Sequence, residues 1–138
     1  MSNKLTFAYF GTDESSAVIL DKLYEEGFEP ALVVTSPDKP VGRTKEMTPP
    51  QTKVWAQEHN IPFIQPQNYK EIPPELLNPP HGKVWDVFIV VYYPKILPRE
   101  VIDIPEHGSL NVHPSLLPKL RGPSPIKTAI LQDMRKTG

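Results

Sequence analysis

The sequence predicts an α/β protein built on an open, mainly parallel sheet with helices on both faces. Three stretches carry that prediction. The chain opens as strand, helix and apolar strand, an order that sets two strands parallel. Trp85 to Tyr92 is apolar on both faces, as suits a strand covered from both sides. Gly108-Ser109-Leu110 alternates and runs into Asn111-Val112-His113-Pro114, a strand ending in polar side chains at the point where open α/β sheets hold ligands.

At 138 residues the chain fits one domain, the usual size being roughly 100 to 150 residues, and can bury a real core. Fifteen Lys plus Arg stand against sixteen Asp plus Glu, a formal charge of −1. With no global basic field, any contact with nucleic acid must be local. The sequence has no cysteine, which excludes disulfides, thiolate metal sites and a cysteine nucleophile. Met1-Ser2-Asn3-Lys4 leads into a strand and not a signal-type apolar run, and no stretch reaches the roughly 18 apolar residues of a membrane span. A soluble, cytoplasmic protein without membrane contact is expected. Proline, at eighteen residues, is well above the average of about 5%. The prolines punctuate apolar segments and so predict stiff, ordered loops.

Leu5 to Phe10 is rich in strand formers and closes at Gly11-Thr12-Asp13, after which Glu14 to Glu26 reads as a helix stopped by Gly27. Val18, Leu20, Leu23 and Tyr24 supply its apolar stripe. Ala31 to Thr35 is the second strand. The first turn has a single glycine, with neither G-x-G-x-x-G nor G-x-x-x-x-G-K, so dinucleotide and P-loop binding lose their main support.

Ser36 to Pro50 is long and polar, and long loops without secondary structure are often functional. Lys39, Arg43 and Lys45 concentrate positive charge there. Charge alone leaves two readings open, an ordinary solvated surface or a segment that meets a phosphate backbone. With few apolar anchors, Lys39 to Lys45 is expected to be mobile without RNA.

Pro49-Pro50 opens a helix that carries Val54, Trp55 and Ala56 to His59-Asn60. Ile61-Pro62-Phe63-Ile64 is an edge strand, because proline cannot donate to a ladder. Pro66 to Lys83 is proline-rich, anchored by Leu76 and Leu77, with a short helix at Glu75 to Leu77. The Phe88 strand, predicted to lie beside the Phe7 strand at the centre, is followed by Tyr93-Pro94-Lys95-Ile96-Leu97-Pro98. A short helix from Pro98 to Asp103 leads to the Asn111 strand, and Ile126 to Met134 is the final helix.

In that strand Asn111 and His113 share a face while Val112 takes the other. Asn-x-His at a strand end can be a turn residue with a satisfied histidine. It can also be an acyl-transfer pair, His113 moving a proton near pH 7 and the Asn111 amide donating to a carbonyl oxygen as it gains charge. Ser115-Leu116-Leu117-Pro118 and Arg121-Gly122-Pro123 follow at once, which describes a rigid, sculpted loop.

Together these landmarks resemble the N-terminal catalytic domain of the methionyl-tRNA formyltransferases, within the wider group of 10-formyltetrahydrofolate-dependent formyltransferases. The matching pieces are Phe10-Gly11-Thr12, Ser36-Pro37-Asp38-Lys39-Pro40-Val41-Gly42-Arg43, Thr48-Pro49-Pro50, Lys95-Ile96-Leu97-Pro98, and Asn111-Val112-His113-Pro114-Ser115-Leu116-Leu117-Pro118 with Arg121-Gly122. The resemblance spans essentially the whole chain and implies a Rossmann-like sheet. It implies that Asn111 and His113 form the catalytic pair. Ile96, Leu97, Ser115, Leu116, Leu117 and Pro118 would hold the folate. Lys39, Arg43 and Lys45 would enter the acceptor arm of initiator methionyl-tRNA. The donor it implies is 10-formyltetrahydrofolate, with no metal.

Where the family has a small residue, Tyr and Gly, this chain has Tyr92-Tyr93-Pro94, a change expected to narrow or reshape the folate pocket. The family's catalytic Asp and its C-terminal barrel domain lie downstream of residue 138, and Asp133 does not match that Asp. Residues 1–138 are therefore expected to form an incomplete formyltransferase domain, its sheet truncated at the C-terminal end, with self-association through an uncovered sheet edge. Two alternatives stay open, a sugar-nucleotide N-formyltransferase and a catalytically incompetent folate-binding domain.

Overall fold

A computed structural model describes residues 5–112. The Ile126 to Met134 helix lies outside the described residues. The fold is α/β, and the described residues form five parallel strands in the order β5-β2-β1-β6-β7. They are β1 (Phe7–Phe10), β2 (Leu32–Val34), β5 (Phe63–Ile64), β6 (Val87–Val91) and β7 (Ser109–Val112). As expected, the Phe7 and Phe88 strands are central neighbours, with Phe7 opposite Val87 and Phe10 opposite Val90. Among the described residues β5 is an edge, as the adjacent Pro62 predicts.

The period of two divides the core. Phe7, Tyr9, Val33, Ile89, Val91, Leu110 and Val112 point to one face, which α1 (Glu14–Glu25) and α2 (Gln51–Glu58) cover through Leu20, Leu23, Trp55 and Ala56. Ala8, Phe10, Val34, Phe88 and Val90 point to the other, which α3 (Pro74–Leu77) and α4 (Arg99–Ile102) cover through Leu76 and Val101. Helices therefore flank both faces. Each fully buried large apolar side chain contributes about 1.5–3 kcal/mol, and β6 is buried along its whole length.

Local chemistry explains how α1 starts and stops. The Asp13 side chain accepts from Ser16 N at 3.0 Å and caps α1. Gly27, at φ +94°, supplies the left-handed residue after the helix. The side chains facing the core are Ser16, Leu20 and Leu23, spaced four and three apart on one helical face. Val18, predicted in the stripe, lies off that face and is 57% exposed. Leu77 likewise faces solvent while Leu76 is fully buried.

The main correction concerns Ser36 to Pro50. It is not without secondary structure, since β3 (Lys39–Val41) and β4 (Glu46–Thr48) form an antiparallel hairpin. Lys45 N donates to Gly42 O at 3.2 Å to close the turn, with Gly42 at φ +79° and Lys45 at φ +54°. No apolar alternation marked these strands because both are exposed throughout.

Candidate active site

After β2 and β5 the chain returns across the sheet to β6, so the strand order reverses beside β1. Open α/β sheets bind ligands in the crevice outside the carboxyl ends of the strands at such a switch point. The turn there is tight. A Cβ on Gly11 would overlap Ser16 Oγ, and would lie 2.9 Å from Ser16 Cβ and 3.0 Å from the Val91 carbonyl. Thr52 Oγ1 donates to the Gly11 carbonyl at 2.8 Å, and Tyr9, whose phenol burial pushes far above its ordinary pKa, donates to Ser16 O at 2.8 Å.

The chain leaves β6 through Tyr92, held at φ +52°, an unusual conformation for a bulky residue. This twist packs Tyr92 against the face covered by α1 and α2 and Tyr93 against the face covered by α3 and α4. Only Tyr93 of the two tyrosines lines the adjoining pocket, a cavity of about 390 Å³. Its apolar wall comes from Val90, Ile96, Leu97 and Ile102, and its polar groups from Tyr93, Lys95, Ser109 and Asn111. Ile96 is 94% exposed at the rim, whereas Leu97 packs on the core.

Three of the polar groups are committed. Tyr93 and Tyr69 share a hydroxyl hydrogen bond of 2.8 Å, Lys95 Nζ donates to Gln67 O at 2.9 Å, and Ser109 Oγ donates to Ile102 O at 2.9 Å. Burial raises the pKa of both tyrosines, so they stay neutral at physiological pH. The Asn111 side chain has no hydrogen-bond partner among the described residues. Register explains its place. Asn111 pairs with Val90 and shares a face with Ser109, while Val112 is buried on the other side, as alternation predicts.

The structure thus brings Ile96, Leu97 and Asn111 together around one cavity. His113, Ser115, Leu116, Leu117 and Pro118 lie outside the described residues. Lys39 sits in β3, and Arg43 and Lys45 sit in the hairpin turn, all three exposed and apart from the pocket's lining. Sequence reasoning missed Ser109, whose signal was its spacing of two from Asn111. It also missed Tyr69, which carries no local signal.

A parallel sheet with a ligand-sized pocket at strand carboxyl ends defines an open α/β architecture of the kind that holds ligands there. Within that class the chain belongs to the formyl transferase family, whose model matches residues 3–138. It is 45% identical over 130 residues to the methionyl-tRNA formyltransferase of Geobacillus sp. (strain WCH70), a match covering 94% of this chain and 40% of that protein. The same enzyme from Bacillus subtilis (strain 168) is 43% identical over 133 residues, again covering 94% and 40%. The chain therefore spans about 40% of the length of these curated relatives. Among solved structures it resembles phosphoribosylglycinamide formyltransferase from Anaplasma phagocytophilum, with a TM-score of 0.58 and 19% identity over 94% of this chain and 59% of that one. Glycinamide ribonucleotide transformylase 1 from Geobacillus kaustophilus gives 0.57 and 21% over 94% and 69%. These two likenesses concern the fold. Among the described residues no helix is long and apolar enough to cross a membrane.

Proposed function

We propose that this chain carries the formyl-transfer site of a methionyl-tRNA formyltransferase, moving a formyl group from 10-formyltetrahydrofolate to the amino group of initiator methionyl-tRNA for translation initiation. The observation that carries the reading is the convergence of Ile96, Leu97 and Asn111, whose amide has no partner among the described residues, on one pocket. A cavity of about 390 Å³ with apolar walls and few polar groups suits a flat heteroaromatic ring, which Ile96 and Leu97 would sandwich at its rim. The relatives' names supply the acceptor and the exposed basic hairpin supplies a surface for its phosphates.

In this reading the methionyl amine attacks the formyl carbon, and a C–N bond forms as the carbonyl electron pair moves to oxygen. The Asn111 amide donates to that oxygen, where charge develops. His113 takes the proton lost by the amine, and the bond to folate N10 breaks as the carbonyl re-forms. The leaving nitrogen receives a proton, giving tetrahydrofolate and formylmethionyl-tRNA. No metal is required, because amide and imidazole supply both the polarisation and the proton transfer.

The test is formyl transfer by the full-length protein to methionyl-tRNA and, separately, to an amino-sugar nucleotide. His113→Ala is expected to lower kcat by roughly 10²–10⁴ with folate affinity nearly intact. Preferred transfer to the sugar amine, or an active His113 variant, overturns the reading.

A further inference from the structure

From Lys39 to Thr48 the hairpin is exposed, and neither of its strands pairs with the main sheet. The direction of such a projection is set at its roots. At the returning root, Gln51 N donates to Thr12 O at 3.1 Å. The outgoing root is held more elaborately, through the Asp38 carboxylate. Lys53 Nζ, in the first turn of α2, donates to Oδ1 at 3.1 Å and to Oδ2 at 3.2 Å. Gln65 Nε2, just beyond β5, donates to Oδ1 at 2.7 Å and to the Ser36 carbonyl at 3.0 Å. Lys53 also sits 5.6 Å from the centroid of the Phe63 ring.

This cluster differs from an ordinary surface pair in two ways. Its side chains are largely covered, Lys53 at 17% and Asp38 at 32% exposure, against 59% for both partners of the Lys22–Glu25 pair. Its lysine also stands at a helix start, where the dipole disfavours a cation and favours a carboxylate. The Asp38 carboxylate beside it offsets that charge. Asp38 immediately precedes β3, so the two contacts tie the start of that strand to α2 and to the end of β5.

We propose that Asp38 is a positioning residue. Clamped by Lys53 and Gln65, it aims the basic hairpin so that Lys39 and Arg43 meet the phosphates of the acceptor without touching the reacting atoms. This rests on the hairpin's role under the proposed function. Rigid roots matter for recognition because a projection already held in its bound direction loses less freedom on binding.

In the full-length protein, kcat and the KM values for methionyl-tRNA and 10-formyltetrahydrofolate are compared for Asp38→Asn, Lys53→Met, the reciprocal swap Asp38→Lys with Lys53→Asp, and Arg43→Ala. Asp38→Asn and Lys53→Met are expected to raise the tRNA KM roughly three- to tenfold, with kcat and folate KM within about twofold of the parent. The swap, which rebuilds the pair with reversed charge, should recover most of that loss. Should Asp38→Asn not fold, Lys53→Met and the swap carry the same test. A raised tRNA KM in Arg43→Ala alone overturns the proposal and leaves the hairpin's role standing. Parallel losses in kcat and folate KM, or a swap that recovers nothing, overturn it as well. An unchanged tRNA KM in Arg43→Ala overturns the hairpin's role, and the proposal with it.

Discussion

Replacing Gly11 by Ala tests whether the turn at the switch point is as crowded as it looks. The added methyl meets Ser16 Oγ, which could rotate away. It also meets Ser16 Cβ at 2.9 Å and the Val91 carbonyl at 3.0 Å, and neither atom can yield without moving α1 or β6. Such overpacking costs about 1–3 kcal/mol. Moving Ser16 disturbs a second group, because the fully buried Tyr9 hydroxyl donates to Ser16 O at 2.8 Å and faces Ser16 Oγ at 3.3 Å. An orphaned buried hydroxyl adds about 1–3 kcal/mol, giving a total of about 2–6 kcal/mol. For a chain of this size that corresponds to a fall in Tm of roughly 6–20 °C. Thermal and urea denaturation followed by circular dichroism measure it. Ser16→Gly should relieve part of the clash, so the double variant should be less destabilised than the sum of the singles by about 1 kcal/mol or more. A Gly11→Ala protein within about 0.5 kcal/mol of the parent, or strictly additive singles, would refute the reasoning.

Trp85→Phe removes the indole that donates from Nε1 to the Leu76 carbonyl at 2.9 Å and leaves a void on the second face, and a loss of about 2–4 kcal/mol is expected in urea denaturation. Tyr69→Phe strips Tyr93 of its hydroxyl partner and should cost about 0.5–1.5 kcal/mol while weakening the binding of a stable formyl-folate analogue by calorimetry; unchanged affinity would confine the pair to a packing role. Hydrogen bonds from Gln65 and Lys53 hold the Asp38 carboxyl below its usual range, so its stabilising contribution is fully present above about pH 4 and is lost as pH falls through the depressed pKa. The acid limb of a stability-versus-pH curve should accordingly flatten in Asp38→Asn, and an unchanged limb would count against the assignment.

The sheet was legible because β1, β2 and β6 are apolar runs covered on both faces. Asn111 was legible for a related reason, since alternation alone put it on the face opposite Val112. The hairpin was not, because Lys39-Pro40-Val41 and Glu46-Met47-Thr48 bury nothing and are held from their roots by Asp38, Gln51 and Thr12. Val18 and Leu77 misled because a helix chooses its inner face by what lies opposite, and Ser16 and Thr52 are buried there through bonds to Tyr9 and Gly11. The hydrogen bond by which Tyr69 holds Tyr93, a pocket-lining residue, was invisible for want of any local pattern, the two lying 24 positions apart.

The central position of β1 has a consequence for how the molecule is made. One side of β1 pairs with β2 early in synthesis, but its other side waits for β6, and the Thr6 amide bonded to the Asp86 carboxylate marks a separation of 80 positions. At about 5–20 residues per second, the translating ribosome needs roughly 4–16 s to deliver that partner. During this interval Phe7, Tyr9 and Phe10 form an open apolar ladder with nothing to close it. A chain destined to sit at the middle of a buried sheet thus begins life as an unprotected edge, and nascent chains stalled before Trp85 are where chaperone capture should be greatest.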